Sequence, residues 1–427
     1  MKKLRKQAKE LFQLATKVYN YRRDVLPENR ITELEKAVRE ADAFYKRNDP
    51  NEEKAFQASL QRLDALLLKI GGKIYPKTFW NDNIEVALVA AILVIGVRTF
   101  FFQPFIIPTN SMYPTYSGMN AVIYQEGEPS PSGLKKLFNL GRLGAKHFEV
   151  RASSSGQIRI PVFSQAQVSP DARLRNGGLV RYKEVKGRKW FGILPALKRE
   201  YTFYVDEQPV TLRVPAEFPL DDVIRQSFFP KEPSLREVMI SQHEGGLTNV
   251  LSPNPILETS QSVQAGERVL EFDITLGDAL FVDRLTYHFR RPRAGDPFVF
   301  RTRTIPGIEG GPNTYVDKYY IKRIGGVGGE TLEIKDSALL VDGMPRDEVE
   351  AFGRNAILEG EYGGYINGGL LADGRKLSIP ENNFVALGDN SGNSLDSRFW
   401  GFVPDDTVIG KAIFIYYPFT KRWGLAE

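Results

Sequence analysis

The sequence predicts a mainly β, antiparallel domain preceded by an N-terminal α-helical region and one transmembrane helix. Three observations lead to this fold class: helical periodicity at the start, one nearly uncharged apolar run, and short alternating segments after it. The chain has 427 residues, of which 42% are hydrophobic and 26% charged. This composition is typical of a folded protein with two or three domains.

The N-terminal region, residues 1–80, carries apolar residues at three-four spacing in three successive stretches, which include Leu11, Leu34 and Leu60. The segments "LPEN" and "NDPN" separate the stretches, and their Pro and Asn residues favour turns. The first twenty residues are basic and lack the long apolar run of a cleavable signal peptide. We therefore expect a small helical bundle or hairpin that is retained in the protein.

The apolar run "VALVAAILVIGVRTFFFQPF", residues 86–105, contains a single charge, Arg98. At about 1.5 Å per residue it just crosses roughly 30 Å of hydrocarbon, which predicts a transmembrane helix over 84–105. A buried core helix is the alternative. Basic residues precede the run, and no further Lys or Arg follows Arg98 until Lys135; the preceding ones are Lys69, Lys73 and Lys77. By the positive-inside rule the N-terminus is cytoplasmic and the domain after the span is extracytoplasmic.

Composition excludes several kinds of chemistry. The chain has no Cys, which rules out disulfides, thiolate nucleophiles and cysteine metal sites. Its three His residues, His147, His243 and His288, are widely separated, which argues against a zinc site or a Ser-His-Asp triad. The net charge is +5, and the basic residues are interspersed with acidic ones along most of the chain. This distribution favours a membrane surface over nucleic acid as a partner.

Two residues remain as candidates for hydrolytic chemistry. Ser111, in "IIPTNSMYPTY", lies between Pro108 and Pro114 just after the apolar run, and its hydroxyl is either a nucleophile or part of a turn. Lys322, in "YYIKRIGGVGGE", can act as a base only if burial or nearby positive charge lowers its pKa. Periodicity alone favours an exposed strand end for this Lys-Arg pair.

Four stretches together resemble bacterial type I signal peptidases: "IPTNSMYPT", "RAGDPFVF", "YYIKRIGGVGGE" and "LGDNSGNSLDSRFWGFVP". The last, Gly388 to Pro404, is the most specific. The resemblance implies a serine endopeptidase with a Ser-Lys dyad, anchored in the cytoplasmic membrane. It also implies cleavage of signal peptides from exported preproteins at the outer membrane–water interface.

The resemblance further assigns roles to individual residues. Ser111 matches the nucleophile and Lys322 the general base; the Thr109 hydroxyl and the Ser111 backbone N–H match the oxyanion hole. Ser394 matches a hydroxyl that orients the lysine. Charged positions that brace the site in the family are matched by Arg323, Asp389, Asp396 and Arg398. No metal or organic cofactor is implied, and the expected substrates are preproteins with small residues at the first and third positions before the cut.

The chain also departs from the family pattern. The turn after Lys322 reads "VGGE", and Ser391-Gly392 follow the Gly-Asp-Asn triplet, which puts one turn and one salt bridge in doubt. About 150 residues are inserted, far beyond the usual loop of about 4 to 6. The predicted catalytic domain is thus residues 106–117 and 272–427, and the insertion, 118–271, is expected to be β-rich.

The role of the insertion and that of the whole chain both have alternatives. Basic segments, one of them next to Trp190 and Phe191, favour a lipid, an unknown partner or substrate guidance, while an inert insertion is equally consistent. The chain as a whole could be a non-catalytic membrane scaffold whose insertion binds partners. A self-cleaving repressor-type Ser-Lys protease is a third reading, but it should be soluble and carry a DNA-binding module.

Overall fold

The computed structural model describes residues 2–76, 79–125, 127–164, 178–189, 194–308 and 313–426. The chain forms two compact units, residues 1–97 and 98–427. Three residues used in the charge and membrane predictions, Lys77, Trp190 and Phe191, lie outside the described residues.

In the described part of the chain, the long α-helices precede the β-strands. The helices are α1 Lys2–Arg22, α2 Glu28–Arg47, α3 Glu53–Ile70, α4 Phe79–Phe100, α5 Gly133–Leu143, α6 Asp221–Phe228, α7 Leu235–Glu244, α8 Thr286–Phe289, α9 Glu350–Ala356 and α10 Ser397–Trp400. The strands are β1 Phe102–Ile106, β2 Asn120–Ile123, β3 Lys146–Arg151, β4 Gly156–Pro161, β5 Tyr182–Lys189, β6 Leu194–Val205, β7 Gln208–Pro215, β8 Ile256–Val263, β9 Arg268–Thr275, β10 Ala279–Asp283, β11 Pro297–Arg301, β12 Tyr319–Val327, β13 Thr331–Lys335, β14 Ala338–Val341, β15 Met344–Pro345, β16 Leu377–Ser378, β17 Asn383–Leu387, β18 Val403–Pro404, β19 Val408–Tyr417 and β20 Gly424–Leu425.

The first unit contains α1, α2 and α3, which share one apolar core. Leu11, Val18, Leu34, Phe56 and Leu60 are all buried in it. The three-four spacing places these side chains on one stripe of each helix, so each helix is stabilised by packing against the other two. Pro27 precedes α2 and Pro50 begins the short 3-10 helix before α3, where the sequence predicts breaks.

Helix α4 is long and apolar enough to cross a membrane. Its segment Asn83–Phe100 has a mean hydropathy of 1.9, and its side chains are exposed to the surroundings. The helix ends at Phe100 rather than at residue 105 as predicted, and residues 102–106 instead form β1. The difference has a physical reason: Pro104 lacks the N–H that a continuing helix requires, whereas β1 pairs with β10.

The second unit is built on an eight-stranded antiparallel sheet in the order β1-β10-β19-β11-β12-β17-β18, with β20 beside β19. The expectation of a mainly β, antiparallel domain is therefore confirmed. A small sheet, β15-β14-β13-β16, packs its own apolar residues against the chain around Tyr365 and Leu387. Strand β12 lies in the interior of the large sheet between β11 and β17, and its residues 322–326 are buried.

Residues 118–271 contribute two further sheets, β2-β9-β3 and β5-β6-β4-β8 with β7 beside β6, together with α5, α6 and α7. The predicted boundary between residues 271 and 272 falls inside β9. Phe272 on that strand packs in one core with Phe218 of the insertion, at a ring-centroid distance of 6.4 Å. The insertion and the strand that leads back to β10 thus share a hydrophobic core.

Candidate active site

Lys322 lies in the middle of β12 and is buried. It is opposite Phe298 of β11, and the next residue, Arg323, is opposite Leu387 of β17. The Lys-Arg pair is therefore buried in the interior of the sheet, contrary to the exposed strand end that periodicity alone favours. The pKa of Lys322 is lowered to about 8, chiefly by burial; the carboxylates of Asp396 and Asp389 oppose the shift, and the positive charge of Arg398 adds to it.

Ser111 lies in a one-turn 3-10 helix, Asn110–Met112, directly after β1. The side chain of Met112 is buried beneath this turn, and Asn110 donates a hydrogen bond to Asn120 at 2.8 Å. In the first turn of a helix the backbone N–H groups have no partner within the helix, so they are available to an acceptor. The local structure thus holds a serine hydroxyl and free donors at one place.

The structure brings Ser111 and Lys322 together. The Lys322 Nζ lies 2.5 Å from the Ser111 Oγ, and both residues are buried. A buried amine with a pKa near 8 is neutral in an appreciable fraction of molecules near neutral pH, and its lone pair can then take the serine proton. This arrangement can therefore generate an alkoxide-like nucleophile without histidine.

The two further hydroxyl residues implied by the resemblance are placed less directly. Ser394 is buried, and within the described residues its Oγ has no hydrogen-bond partner, so no bond to Lys322 is formed. Thr109 is half-buried in an extended conformation and is the residue immediately before the 3-10 helix that carries Ser111. Its position beside the backbone N–H of Ser111 is compatible with a shared acceptor, which leaves its role a prediction.

Arg323 and Asp389 form a buried, bidentate ion pair behind the dyad. The Arg323 Nε and Nη2 donate to the two Asp389 carboxylate oxygens at 2.8 and 2.7 Å. Thr115, which the sequence analysis did not single out, donates from its Oγ1 to Asp389 at 2.6 Å. The pair links β12, the Gly-Asp-Asn segment and the chain after Ser111, so the three parts of the site are fixed relative to one another.

Asp396 and Arg398 form a second buried pair, with the Arg398 Nε 2.8 Å from Asp396 Oδ1. Arg398 also donates to the Oγ and to the backbone oxygen of Ser391, both at 2.7 Å. Ser391 is one of the positions at which the chain departs from the family pattern. The hydroxyl and the carbonyl of Ser391 accept hydrogen bonds from the guanidinium, so Arg398 keeps its hydrogen bonds despite this change from the family sequence.

The Gly-Asp-Asn segment holds the nucleophile loop directly. The backbone N–H of Asn390 donates to the Ser111 carbonyl at 3.1 Å, and its side-chain amide donates to the Asn110 carbonyl at 3.0 Å. A Cβ on Gly388 would lie 2.4 Å from the Ser111 carbonyl oxygen and 2.2 Å from the Ser394 Oγ. Only glycine allows this close approach, which gives the motif a steric reason.

The turn Val327–Glu330, after Lys322, is stabilised by a hydrogen bond between its first and last residues. Glu330 accepts a hydrogen bond from the backbone N–H of Val327 at 2.8 Å and pairs with Arg346 at 2.7 Å. Gly329 has a φ of +90°, which favours glycine. The departure from the family sequence therefore still gives a well-bonded turn.

His147 has acidic neighbours that the sequence does not predict. It lies between two buried carboxylates, 2.8 Å from Asp273 and 3.2 Å from Glu271, because β3 pairs with β9 and brings residues distant in sequence together. His147, Glu149 and Glu271 are close enough to hold a metal ion. Both glutamates, however, form ion pairs with arginines, Glu271 with Arg268 and Glu149 with Arg151. The guanidinium groups therefore supply the positive charge that a metal ion would otherwise provide.

Comparison with known proteins gives an independent assignment. Residues 261–417 match the family described as signal peptidase, peptidase S26. Over these residues the chain is similar to the signal peptidase S26 family. The match contains Lys322, Arg323 and the Gly388–Pro404 motif, whereas Thr109 and Ser111 precede it.

Several signal peptidases are similar to this chain. Signal peptidase I from Leptolyngbya laminosa is 30% identical over 148 residues, which cover 35% of this chain and 64% of that protein. The probable signal peptidase I-1 of Synechocystis sp. is 33% identical over 149 residues, covering 35% of this chain and 66% of that protein. The chain thus spans a little under two thirds of each of these relatives. A crystal structure of a signal peptidase I from Enterococcus faecalis V583 matches 29% of this chain and 97% of that chain, with 26% identity and a TM-score of 0.21.

Proposed function

We propose that this chain is a membrane-anchored serine endopeptidase that removes signal peptides from exported preproteins. The observation that carries the proposal is the 2.5 Å approach of the Lys322 Nζ to the Ser111 Oγ in a buried setting. The match of residues 261–417 to the signal peptidase S26 family supports the same reaction class. A lysine whose pKa is near 8 can act as the general base beside the Ser111 hydroxyl.

The reaction follows from these two groups. Neutral Lys322 takes the proton of the Ser111 hydroxyl, and the serine oxygen attacks the scissile carbonyl. The backbone N–H of Ser111 and the hydroxyl of Thr109 stabilise the oxyanion; a single donor of this kind contributes about 3–4 kcal/mol in related sites. The protonated Lys322 then donates its proton to the leaving amine, and water hydrolyses the acyl-enzyme by the same route.

The substrate binds as an added β-strand beside the nucleophile. Strand β1 leads into Ser111, and among the described residues β10 is its strand partner, so its other edge is available for pairing. An extended preprotein segment there presents a peptide bond to Ser111. Small residues at the first and third positions before the cut fit the narrow space around a buried nucleophile.

The enzyme acts at the outer surface of the cytoplasmic membrane. Among the described residues, α4 is the one helix suited to be the anchor, and Ser111 follows it closely in sequence, which keeps the nucleophile near the interface where signal peptides emerge. The excess of lysine before the span supports a cytoplasmic N-terminus. No organic cofactor or metal takes part in this mechanism.

The decisive experiment compares preprotein cleavage by the wild-type chain, Ser111→Ala and Lys322→Met, each reconstituted in lipid. Methionine preserves the length and burial of the lysine side chain while removing the base, so folding should persist. We expect cleavage to fall by at least about a thousandfold in both variants. Lys318→Met, at an exposed position just before the same strand, is the matched control and should retain activity.

Cleavage at the wild-type rate in either dyad variant would contradict the proposed mechanism. If the folded wild-type chain cuts no peptide with Ala at the first and third positions, the alternative of a non-catalytic scaffold is favoured.

A further inference from the structure

The apolar face of helix α5, in the insertion, is exposed on the protein surface. Leu134, Leu137 and Phe138 lie on one side of the helix at positions i, i+3 and i+4, and they are 82%, 66% and 62% exposed. The opposite side carries Asn139, whose amide donates to the buried Asp273 at 3.4 Å. A helix that packed on a protein core in the usual way would have these two sides exchanged.

All charged residues of α5 are basic. The helix sequence "GLKKLFNLGRL" contains Lys135, Lys136 and Arg142 and no acidic residue. Lys135 and Arg142 flank the apolar face at the helix surface, where their ammonium and guanidinium groups can reach anionic headgroups while the leucines enter the acyl boundary. Apolar and basic residues in this arrangement match the chemistry of an anionic lipid surface.

The fold ties α5 to β19, a strand of the sheet whose edge strand β1 follows α4. The Tyr417 hydroxyl donates to the carbonyls of Leu140 and Gly141 at 3.1 and 3.2 Å. Tyr417 pairs with Ala279 in the sheet, and Ala279 pairs with Ile106 of β1, the strand that follows α4. Two strand spacings of about 4.8 Å therefore separate the end of β1 from the strand that holds α5.

Aromatic side chains extend the same surface. The Phe419 backbone N–H donates to the Arg142 carbonyl at 3.1 Å, and both Phe419 and Trp423 have more than half of their surface exposed. Phe and Trp next to basic residues are typical of the membrane–water interface. Continuity with the proposed anchor and the uniform positive charge favour a bilayer over a protein partner.

We infer that α5, through Leu134, Leu137 and Phe138, docks the second unit on the anionic surface of the membrane that α4 spans. The inference rests on the proposed membrane anchoring and is independent of catalysis. Docking through α5 gives the insertion a role: it fixes the height of the nucleophile loop above the lipid. Substrates that are themselves held in the membrane then meet Ser111 at a constant depth.

The test uses the full chain, which has no cysteine and so allows clean single-site labelling. Leu137→Cys is labelled with the environment-sensitive fluorophore NBD and reconstituted in vesicles of phosphatidylcholine and phosphatidylglycerol, with or without doxyl-labelled lipid. Met344→Cys is the matched control, since Met344 is 71% exposed in the hairpin of β14 and β15. All forms also carry Ser111→Ala, so the lipid readout does not depend on activity.

We expect the doxyl lipid to quench the Leu137 label roughly threefold more strongly than the Met344 label, with a blue-shifted emission. Adding Lys135→Glu and Arg142→Glu should reduce the quenching in phosphatidylglycerol vesicles to that in pure phosphatidylcholine. Equal quenching at the two sites in chain that floats with the vesicles would overturn the docking of α5. A blue shift without lipid quenching would instead indicate a protein or a second copy on this face and would also overturn it.

Failure of the anchor itself gives a different result. Chain that does not float with the vesicles would contradict the membrane anchoring on which the inference rests, and would overturn both. Absence of peptide cleavage by the wild-type chain, which retains Ser111, together with intact lipid quenching in the labelled forms would count against the proposed function and leave the docking of α5 supported.

Discussion

The buried position of Lys322 makes the pH dependence of the reaction a direct test of its role. Its pKa is lowered to about 8 by burial, and only the neutral amine can accept the serine proton. Activity should therefore rise with pH rather than fall. We expect kcat/KM for a peptide without titratable groups near the cut to increase about fivefold from pH 7 to pH 8 and to level off near pH 9.

The pH profile needs a check on folding at every pH, for which circular dichroism in detergent is sufficient. A profile that is flat from pH 7 to pH 9 while the fold persists would contradict Lys322 as the base.

Arg323 and Asp389 provide a second prediction, which concerns stability. Asp389→Asn leaves the guanidinium of Arg323 buried without a compensating charge, and breaking such a pair costs about 3–5 kcal/mol in free energy of unfolding. Asp317→Asn is the matched control, because Asp317 makes a similar bidentate contact with Arg301 on the surface. Chemical denaturation in detergent should show a much lower midpoint for Asp389→Asn and an unchanged midpoint for Asp317→Asn. Equal shifts in the two variants would contradict the buried pair as a structural brace.

At the scale of single elements, β9 packs in the core of the insertion and leads directly into β10 of the eight-stranded sheet. Phe272 is fully buried on this strand, with its ring 5.5 Å from that of Phe148 and 6.4 Å from that of Phe218. Phe272→Ala should cost about 3–5 kcal/mol by leaving a cavity, whereas the highly exposed Phe289 can be replaced without effect.

Because the core is continuous, we expect the insertion and the catalytic sheet to unfold in one thermal transition, with loss of peptide cleavage. Phe272→Ala should lower the midpoint temperature of that transition. Calorimetry together with an activity assay on the heated protein separates this from the alternative. An insertion that melts alone, with cleavage retained above its transition, would show that residues 118–271 are an independent domain.

The elements also show where sequence reasoning is sufficient and where it fails. The stripes through Leu11, Leu34 and Leu60 predict three helices because helix periodicity is a local property. The motifs around Ser111 and Lys322 name two residues that are 211 positions apart, and the structure brings them within 2.5 Å.

Cross-strand neighbours escape prediction, because pairing between strands is set by register rather than by nearby sequence. His147 meets Glu271 and Asp273 only because β3 pairs with β9. Thr115 is similarly inconspicuous in sequence, although it donates to Asp389. Hydropathy places the end of the apolar helix too late, since it continues through Phe105 while Pro104 and pairing with β10 end the helix at Phe100.

At the scale of the whole molecule, the orientation of the chain in the membrane is the prediction that links its two units to function. Lysines lie before α4, and the next basic residue after Arg98 is Lys135, so the positive-inside rule predicts a cytoplasmic first unit. Preproteins reach their cleavage site only after crossing the membrane, which requires the second unit outside. The absence of cysteine again permits single-site variants, in this case Lys36→Cys in α2 and Met344→Cys in the hairpin of β14 and β15, both at exposed positions.

With a membrane-impermeant maleimide on intact cells or spheroplasts, Met344→Cys should be labelled at once and Lys36→Cys only after the membrane is permeabilised. The charge argument gives a further check on the cause of the orientation. Replacing Lys69 and Lys73 by Glu weakens the positive bias before the span and should increase the labelling of Lys36→Cys in intact cells. Immediate labelling of Lys36→Cys in the otherwise native chain would show the opposite orientation. With the second unit in the cytoplasm, Ser111 and Lys322 could not act on exported preproteins.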